Sequence, residues 1–161
     1  MKTLYIVRHA QAAIQQQGTG DFERILTADG RQEALNVGKR LFEAGISPNC
    51  IVTSSAFRTL TTARILAGET GYPSNRIRVD MRLYNAALTF INTVVEDTND
   101  TIQSLMIVGH NPGMHEYCNY LLDSGVPEFP PASVAVIELP IDSWMNLEKG
   151  TGKLILLDQP E

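Results

Sequence analysis

At 161 residues, with 43% hydrophobic and 19% charged side chains, the chain has the length and composition of one folded domain, which excludes a disordered or collagen-like polymer. Lysine and arginine number 13 against 18 acidic residues, a formal net charge of −5, so the dense basic face of a general nucleic-acid or anionic-membrane binder is missing. A small basic pocket remains compatible with that balance.

The opening Leu4-Tyr5-Ile6-Val7 is apolar only briefly and runs straight into Arg8-His9. No signal peptide is expected from it, and no segment reaches the roughly 18 to 20 apolar residues that cross a bilayer. Leu4–Val7 reads as a buried strand. Ala34, Val37, Leu41 and Phe42 recur at helical spacing, which predicts an amphipathic helix over Arg31 to Ala44, stopped by Gly45. Cys50–Thr53 is a second strand, followed by a helix from Phe57 to Glu69. Ile77–Val79 is a short third strand, and Ala87, Phe90-Ile91 and Val94-Val95 mark another helix. Leu105–Val108 is the clearest buried strand, with a helix over Met114 to Leu122 behind it. Val134–Leu139 and Leu154–Leu157 close the chain as a hairpin-like pair. Strands alternating with helices predict a single α/β domain over 1–161, a mostly parallel sheet with helices on both faces. The polar stretch Gln11 to Ile25 reads as a flexible loop. Cys50 and Cys118 lie far apart and outside any CxxC or Cys/His cluster, which fits reduced thiols in a cytoplasmic protein.

In such a sheet, ligands bind beyond the carboxyl ends of the strands. Three strands here end in groups suited to a phosphate: Arg8-His9, then Thr53-Ser54-Ser55 with Arg58 one turn later, then Gly109-His110-Asn111. Each has a bland alternative. Arg58 would simply pair with a carboxylate such as Glu69 or Asp80, His9 would be a satisfied core histidine, and Asn111-Pro112-Gly113 would be only a turn. Two arginines and two histidines at one sheet edge outweigh those readings together. A transferring phosphoryl group needs neutralisation and positioning, which arginine forks supply at any relevant pH. The N–H groups opening the Arg58 helix are further donors. A neutral imidazole is a competent nucleophile, so His9 is expected to donate one ring N–H to a backbone carbonyl and aim the other nitrogen at phosphorus. His110, cationic once the anion is bound, completes the clamp. His9, His110 and His115 lack the companions of a metal site, and no metal or cofactor is expected.

Leu4-Tyr5-Ile6-Val7-Arg8-His9-Ala10 resembles the RHG-type signature of the histidine phosphatase superfamily, with Ala10 in the usual glycine position. Leu26-Thr27-Ala28-Asp29-Gly30 looks like the family's LTxxG block. Ser54-Ser55-Ala56-Phe57-Arg58-Thr59 with Thr62-Ala63 is similar to its SPxxRTxxTA block, Ser55 standing where proline is usual. Val108-Gly109-His110-Asn111-Pro112-Gly113 resembles its VGHNPG block. The resemblance implies a phosphoglycerate mutase-like three-layer α/β/α sandwich. It implies His9 as the phosphorylated nucleophile and Arg8, Arg58 and His110 as the phosphate pocket. Ser55 at the second strand end is a candidate substrate contact, and Arg24, near the loop's return towards the sheet, is a candidate further phosphate contact. The short SixA-type phosphohistidine phosphatases are the most similar branch.

The substrate is read from absences. Mutases and sugar-phosphate phosphatases of the family carry a long insertion over the pocket, whereas Arg82 to Gln103 has room for one helix, so an open, shallow site is expected. Those relatives also place a glutamate after the third strand, where this chain has Leu83-Tyr84-Asn85. A positioned acid typically contributes about 10²- to 10⁴-fold to loss of an alkoxide. Phosphohistidine needs it less, because its other ring nitrogen is protonated before P–N cleavage. The expected substrate is therefore a phosphorylated histidine on a partner protein, such as a histidine phosphotransfer domain or a phosphocarrier in signal transduction. Two alternatives stay open: a small-molecule phosphomonoesterase recruiting Asp21, Glu23, Asp80 or Glu116 as acid, and a phosphate-dependent binding module with vestigial catalysis.

Overall fold

Leu4 and Ile6 face one side of the first strand and Tyr5 and Val7 the other, and all four are buried. A strand apolar on both faces has to lie inside a covered sheet. The computed structural model, which describes residues 1–160, places it there. The strands are β1 (Lys2–Arg8), β2 (Cys50–Thr53), β3 (Arg78–Val79), β4 (Ser104–Gly109), β5 (Val134–Leu139) and β6 (Lys153–Asp158). Among the described residues they form one six-stranded sheet in the order β3-β2-β4-β1-β5-β6. The pairings β1–β4, β2–β4 and β2–β3 are parallel, and β5 pairs antiparallel with both β1 and β6.

Helices α1 (Ala28–Glu43) and α2 (Phe57–Thr70) cover one face, packing Ala34, Val37, Leu41, Ala63 and Leu66 onto Tyr5, Val7, Ile51, Met106 and Val108. Helices α3 (Leu88–Glu96) and α4 (Gly113–Leu121) cover the other, packing Ile91, Val95, Met114, Tyr117 and Leu121 onto Leu4, Ile6, Leu105, Ile107 and Ile137. The result is the expected three-layer α/β/α sandwich with a mostly parallel sheet. Each fully buried aliphatic side chain in these layers contributes about 1.5–3 kcal/mol of transfer free energy.

The third strand is shorter than its apolar content suggests. Only Arg78 and Val79 pair with β2, both exposed, because the short 3-10 turn Ser74–Arg76 precedes them and Asp80 caps another at Met81–Leu83. The closing pair is antiparallel as expected, with Trp144 fully buried in the connection between its strands.

The start of α1 fixes the path of the chain after His9. Thr27 Oγ1 accepts from the Gly30 N–H at 2.9 Å, and the Thr27 N–H donates to the Gln11 carbonyl at 3.0 Å. Gly30 is required there because a Cβ would overlap that same carbonyl oxygen. Backbone yields less readily than a side-chain tip, so Gly30→Ala should lower stability by about 1–3 kcal/mol. Calorimetric unfolding checks this; an unchanged midpoint would show that the Gln11 segment is free to move.

Candidate active site

Arg8 lies opposite Gly109, and Val108 lies opposite Thr53, so β1, β4 and β2 end at one level. The next backbone bonds continue the ladder: His9 N–H donates to the Gly109 carbonyl at 3.1 Å and Ser54 N–H to the Val108 carbonyl at 3.0 Å. His9, Ser54 and His110 therefore emerge side by side, with Arg58 one turn into α2. The His9 and His110 rings lie 5.5 Å apart, edge to face. His9 is 9% exposed, Arg58 3% and His110 4%. Ala10 is fully buried, and its N–H donates to Thr62 Oγ1 at 3.1 Å, so the methyl in the glycine position is accommodated.

His9 Nδ1–H donates to the Ala10 carbonyl at 2.6 Å, which leaves the Nε2 lone pair free, as expected for a nucleophile. Burial, followed by the guanidinium charges of Arg58, Arg8 and Arg24, pushes the His9 pKa down to about 4. His110 is pushed down to about 3, by burial first and then by Arg58 and His9. Both rings are thus neutral near pH 7 without an anion, so any cationic form of His110 has to be induced by the anion itself. His110 Nε2 lies 2.8 Å from Ser54 Oγ. With that hydroxyl donating, the ring proton sits on Nδ1, which is buried and has no partner.

Arg8 Nε, Arg58 Nε and Ser55 Oγ are also buried and unpartnered. Buried donors of this kind are costly unless something satisfies them. Here they belong to the residues the strand ends bring together. No side chain caps α2, whose first turn lies beside them. The set is suited to an anion with several acceptor oxygens. Among the described residues, no three His, Cys, Asp or Glu side chains gather as a metal site.

Arg58 does not pair with Glu69 or Asp80. Its Nη1 donates to the Asp21 carbonyl at 2.6 Å and its Nη2 to Asp21 Oδ2 at 2.9 Å. Arg24 joins the cluster, its Nη1 donating to Asp21 Oδ1 at 3.1 Å and its Nε to the Ala13 carbonyl at 2.8 Å. The Tyr84 hydroxyl donates to Asp21 Oδ2 at 2.6 Å. The Tyr84 hydroxyl, Arg58 and Arg24 together hold the Asp21 carboxyl well below the usual carboxylate range, so it is no proton donor at neutral pH. Asp80 is likewise lowered, by Arg82. Glu23 and Glu116 are exposed, and Glu23 Oε1 accepts from the Gly20 N–H.

Aromatic rings border the site on the Tyr84 side. Phe22 stacks at an angle on Phe57 at 5.8 Å and meets Tyr84 edge-on at 5.6 Å, and Tyr84 meets His110 edge-on at 5.4 Å. Tyr84, Ser54 and the anchoring part of Asp21 escape sequence reasoning, because their contacts span 37 to 63 residues along the chain. The useful signal was Asp21 followed three residues on by Arg24, a spacing that closes within one turn.

Two histidines with lowered pKa values make an acid-stability prediction. The unfolded chain binds these protons near pH 6.5, whereas the folded chain refuses them until about pH 4 at His9 and about 3 at His110. Stability should therefore be complete above pH 6.5 and decline as pH falls below it, each unit of separation counting about 1.4 kcal/mol. The unfolding midpoint should drop between pH 7 and pH 5, with a shallower slope in His110→Gln. Equal slopes in the two proteins would contradict a buried neutral His110.

The sequence model described as the histidine phosphatase superfamily (branch 1) matches residues 4–87, a little over half of the chain. The uncharacterized protein Rv1276c of Mycobacterium tuberculosis is 30% identical over 162 residues, covering 92% of this chain and 96% of that protein. The mitochondrial serine/threonine-protein phosphatase PGAM5 of Xenopus tropicalis is 39% identical over 64 residues, 40% of this chain and only 22% of that longer relative. Among solved structures, one assigned as phosphohistidine phosphatase SixA from Agrobacterium tumefaciens superposes with a TM-score of 0.81 at 26% identity, covering 99% of each chain. The protein histidine phosphatase SixA complexed with tungstate gives 0.81 at 20% identity, covering 96% of this chain and 95% of that one. On the family match and the full-length relative, and with the signature histidines and arginines at one sheet edge, the chain belongs to the histidine phosphatase superfamily.

Proposed function

We propose that this phosphatase removes phosphate from a phosphorylated histidine on a partner protein through a phospho-His9 intermediate. The observation that carries the reading is the His9 ring: Nδ1–H is committed to the Ala10 carbonyl, Nε2 is free, and the ring is neutral among three guanidinium charges. Nε2 attacks phosphorus and forms a new P–N bond as the substrate's P–N bond breaks. The departing imidazole, already protonated on its far nitrogen, leaves neutral. Water then attacks the phospho-His9 phosphorus, the Nε2–P bond breaks, and phosphate leaves with the proton passing to solvent.

Arg8 and Arg58 hold the equatorial oxygens, with the unpartnered Nε of each as a donor. His110 Nδ1–H and Ser55 Oγ supply further hydrogen bonds, and Arg24 adds charge at the rim. The bound anion opposes the repulsion of Arg58 on His110 and draws its pKa upward. A phosphohistidine rather than an ester is favoured by the proton economy of the site. Asp21 is held ionised by three donors, the stretch Leu83-Tyr84-Asn85 carries no acid, and Glu23 and Glu116 are exposed. The similarity in fold to SixA structures, one of them bound to tungstate, supports the same reading.

Turnover of a phosphohistidine-bearing protein should exceed that of small phosphate monoesters at equal concentration, and rapid quenching under acid-free denaturing conditions should trap phosphate on His9. Preference for monoesters would move the reading to a metabolite phosphatase. Arg58→Lys should cut kcat/KM by about tenfold or more, since the ammonium keeps the charge and loses the fork.

A further inference from the structure

Asp21 lies in the loop after β1 and makes more polar contacts to the site's arginines than any phosphate chemistry requires of a loop carboxylate. Its backbone oxygen takes Arg58 Nη1, one carboxylate oxygen takes Arg58 Nη2 and the Tyr84 hydroxyl, and the other takes Arg24 Nη1. Asn85 Nδ2 approaches the same carboxylate at 3.5 Å. Arg58 is thereby gripped along its two terminal nitrogens, while its Nε stays buried and unpartnered. The Arg58 side chain is 4% exposed and that of Asp21 34%, so the carboxylate sits on the solvent side of the guanidinium.

We propose that Asp21 is a positioning residue: its carboxylate and carbonyl clamp the outer edge of Arg58 and the tip of Arg24, so that their remaining donors are turned towards the phosphoryl group. An arginine restrained at both Nη atoms rotates little about its last bonds, and a preset donor needs no reorganisation in the transition state. The same carboxylate carries a negative charge near a dianion, which opposes simple binding. The two effects differ in sign, and that makes the role measurable. If clamping dominates, losing Asp21 weakens recognition of a trigonal-bipyramidal transition-state mimic more than recognition of a tetrahedral product. If Asp21 merely occupies the fork in place of phosphate, losing it strengthens both. The lowered pKa of Asp21 keeps the clamp charged through the neutral range.

The inference rests on the phosphate-pocket reading above and is tested separately from it. Orthovanadate and inorganic phosphate are titrated against the whole chain and against Asp21→Asn, Asp21→Glu and Tyr84→Phe, with calorimetry to confirm folding. Asp21→Asn should weaken orthovanadate by about tenfold, with a smaller loss for phosphate, and lower kcat without raising KM. Asp21→Glu, which keeps the charge, should recover part of the loss. Tyr84→Phe removes one hydrogen bond to the clamp and should weaken orthovanadate in the same direction by less, which keeps the test alive if Asp21→Asn fails to fold. A loss of orthovanadate affinity below about threefold in Asp21→Asn, or tighter binding of both anions, overturns the clamp. Absence of orthovanadate binding by the unaltered chain would remove the phosphate pocket first, and the positioning role with it.

Discussion

Arg8 faces Gly109 across β1 and β4, and Thr53 faces Val108 across β4 and β2. This register is the constraint on which the site depends. A one-residue slip of β1 would reverse which of its side chains face which layer, exchanging Leu4 and Ile6 with Tyr5 and Val7. Both sets are buried against different helices, so the slip is expensive and the strand ends stay flush. The hydrophobic layers thereby bring the two histidines and the start of the Arg58 helix to one edge of the sheet.

Flush strand ends create an electrostatic problem that the fold resolves in two ways. Arg8, Arg58 and Arg24 gather around two rings with little access to water, where a further positive charge is unwelcome. The rings respond by staying neutral, which suits a nucleophile. The arginines respond by sharing acceptors: Asp21 for Arg58 and Arg24, and the Phe129 carbonyl for Arg8 at 3.1 Å. Asn111 donates to the same Phe129 carbonyl at 2.8 Å, which ties the turn after β4 to the Arg8 side of the pocket. Each cation is restrained on one edge and open on another, the arrangement a transferring phosphoryl group can use.

The layers were legible in the sequence because each rests on local periodicity. The two-sided apolar content of Leu4–Val7 and Leu105–Val108 marked central strands, and helical spacing found α1 and α2 to within a few residues. The strand-end residues were legible for a related reason, since the ends of parallel strands share an edge by topology alone. What stayed hidden depends on distance in space rather than in sequence. Glu69 and Asp80 were only the alternative partners for Arg58, and the carboxylate it does meet, Asp21, is carried in by the loop. Tyr84 was notable only as a missing acid, although its ring borders His110 and its hydroxyl secures Asp21. Ser55 stood in the family position, yet the neighbouring Ser54 holds the His110 ring. Neighbouring serines at a strand-to-helix junction point in different directions, and composition cannot distinguish them.

The outer strands of the sheet have a separate bearing on how copies of the chain meet. An edge strand with a long, regular row of free N–H and C=O groups invites pairing with another molecule. β3 offers two residues, and the β5–β6 ladder is broken by a register shift at Val136/Ile137. Arg40 crosses to Asp158 at the end of β6 with two hydrogen bonds of 2.8 Å, placing a charged pair where a foreign strand would dock. Neither border is a good template for strand addition. A chain whose central strands are so uniformly apolar is thus screened from edge-to-edge strand pairing by the irregularity of its margins.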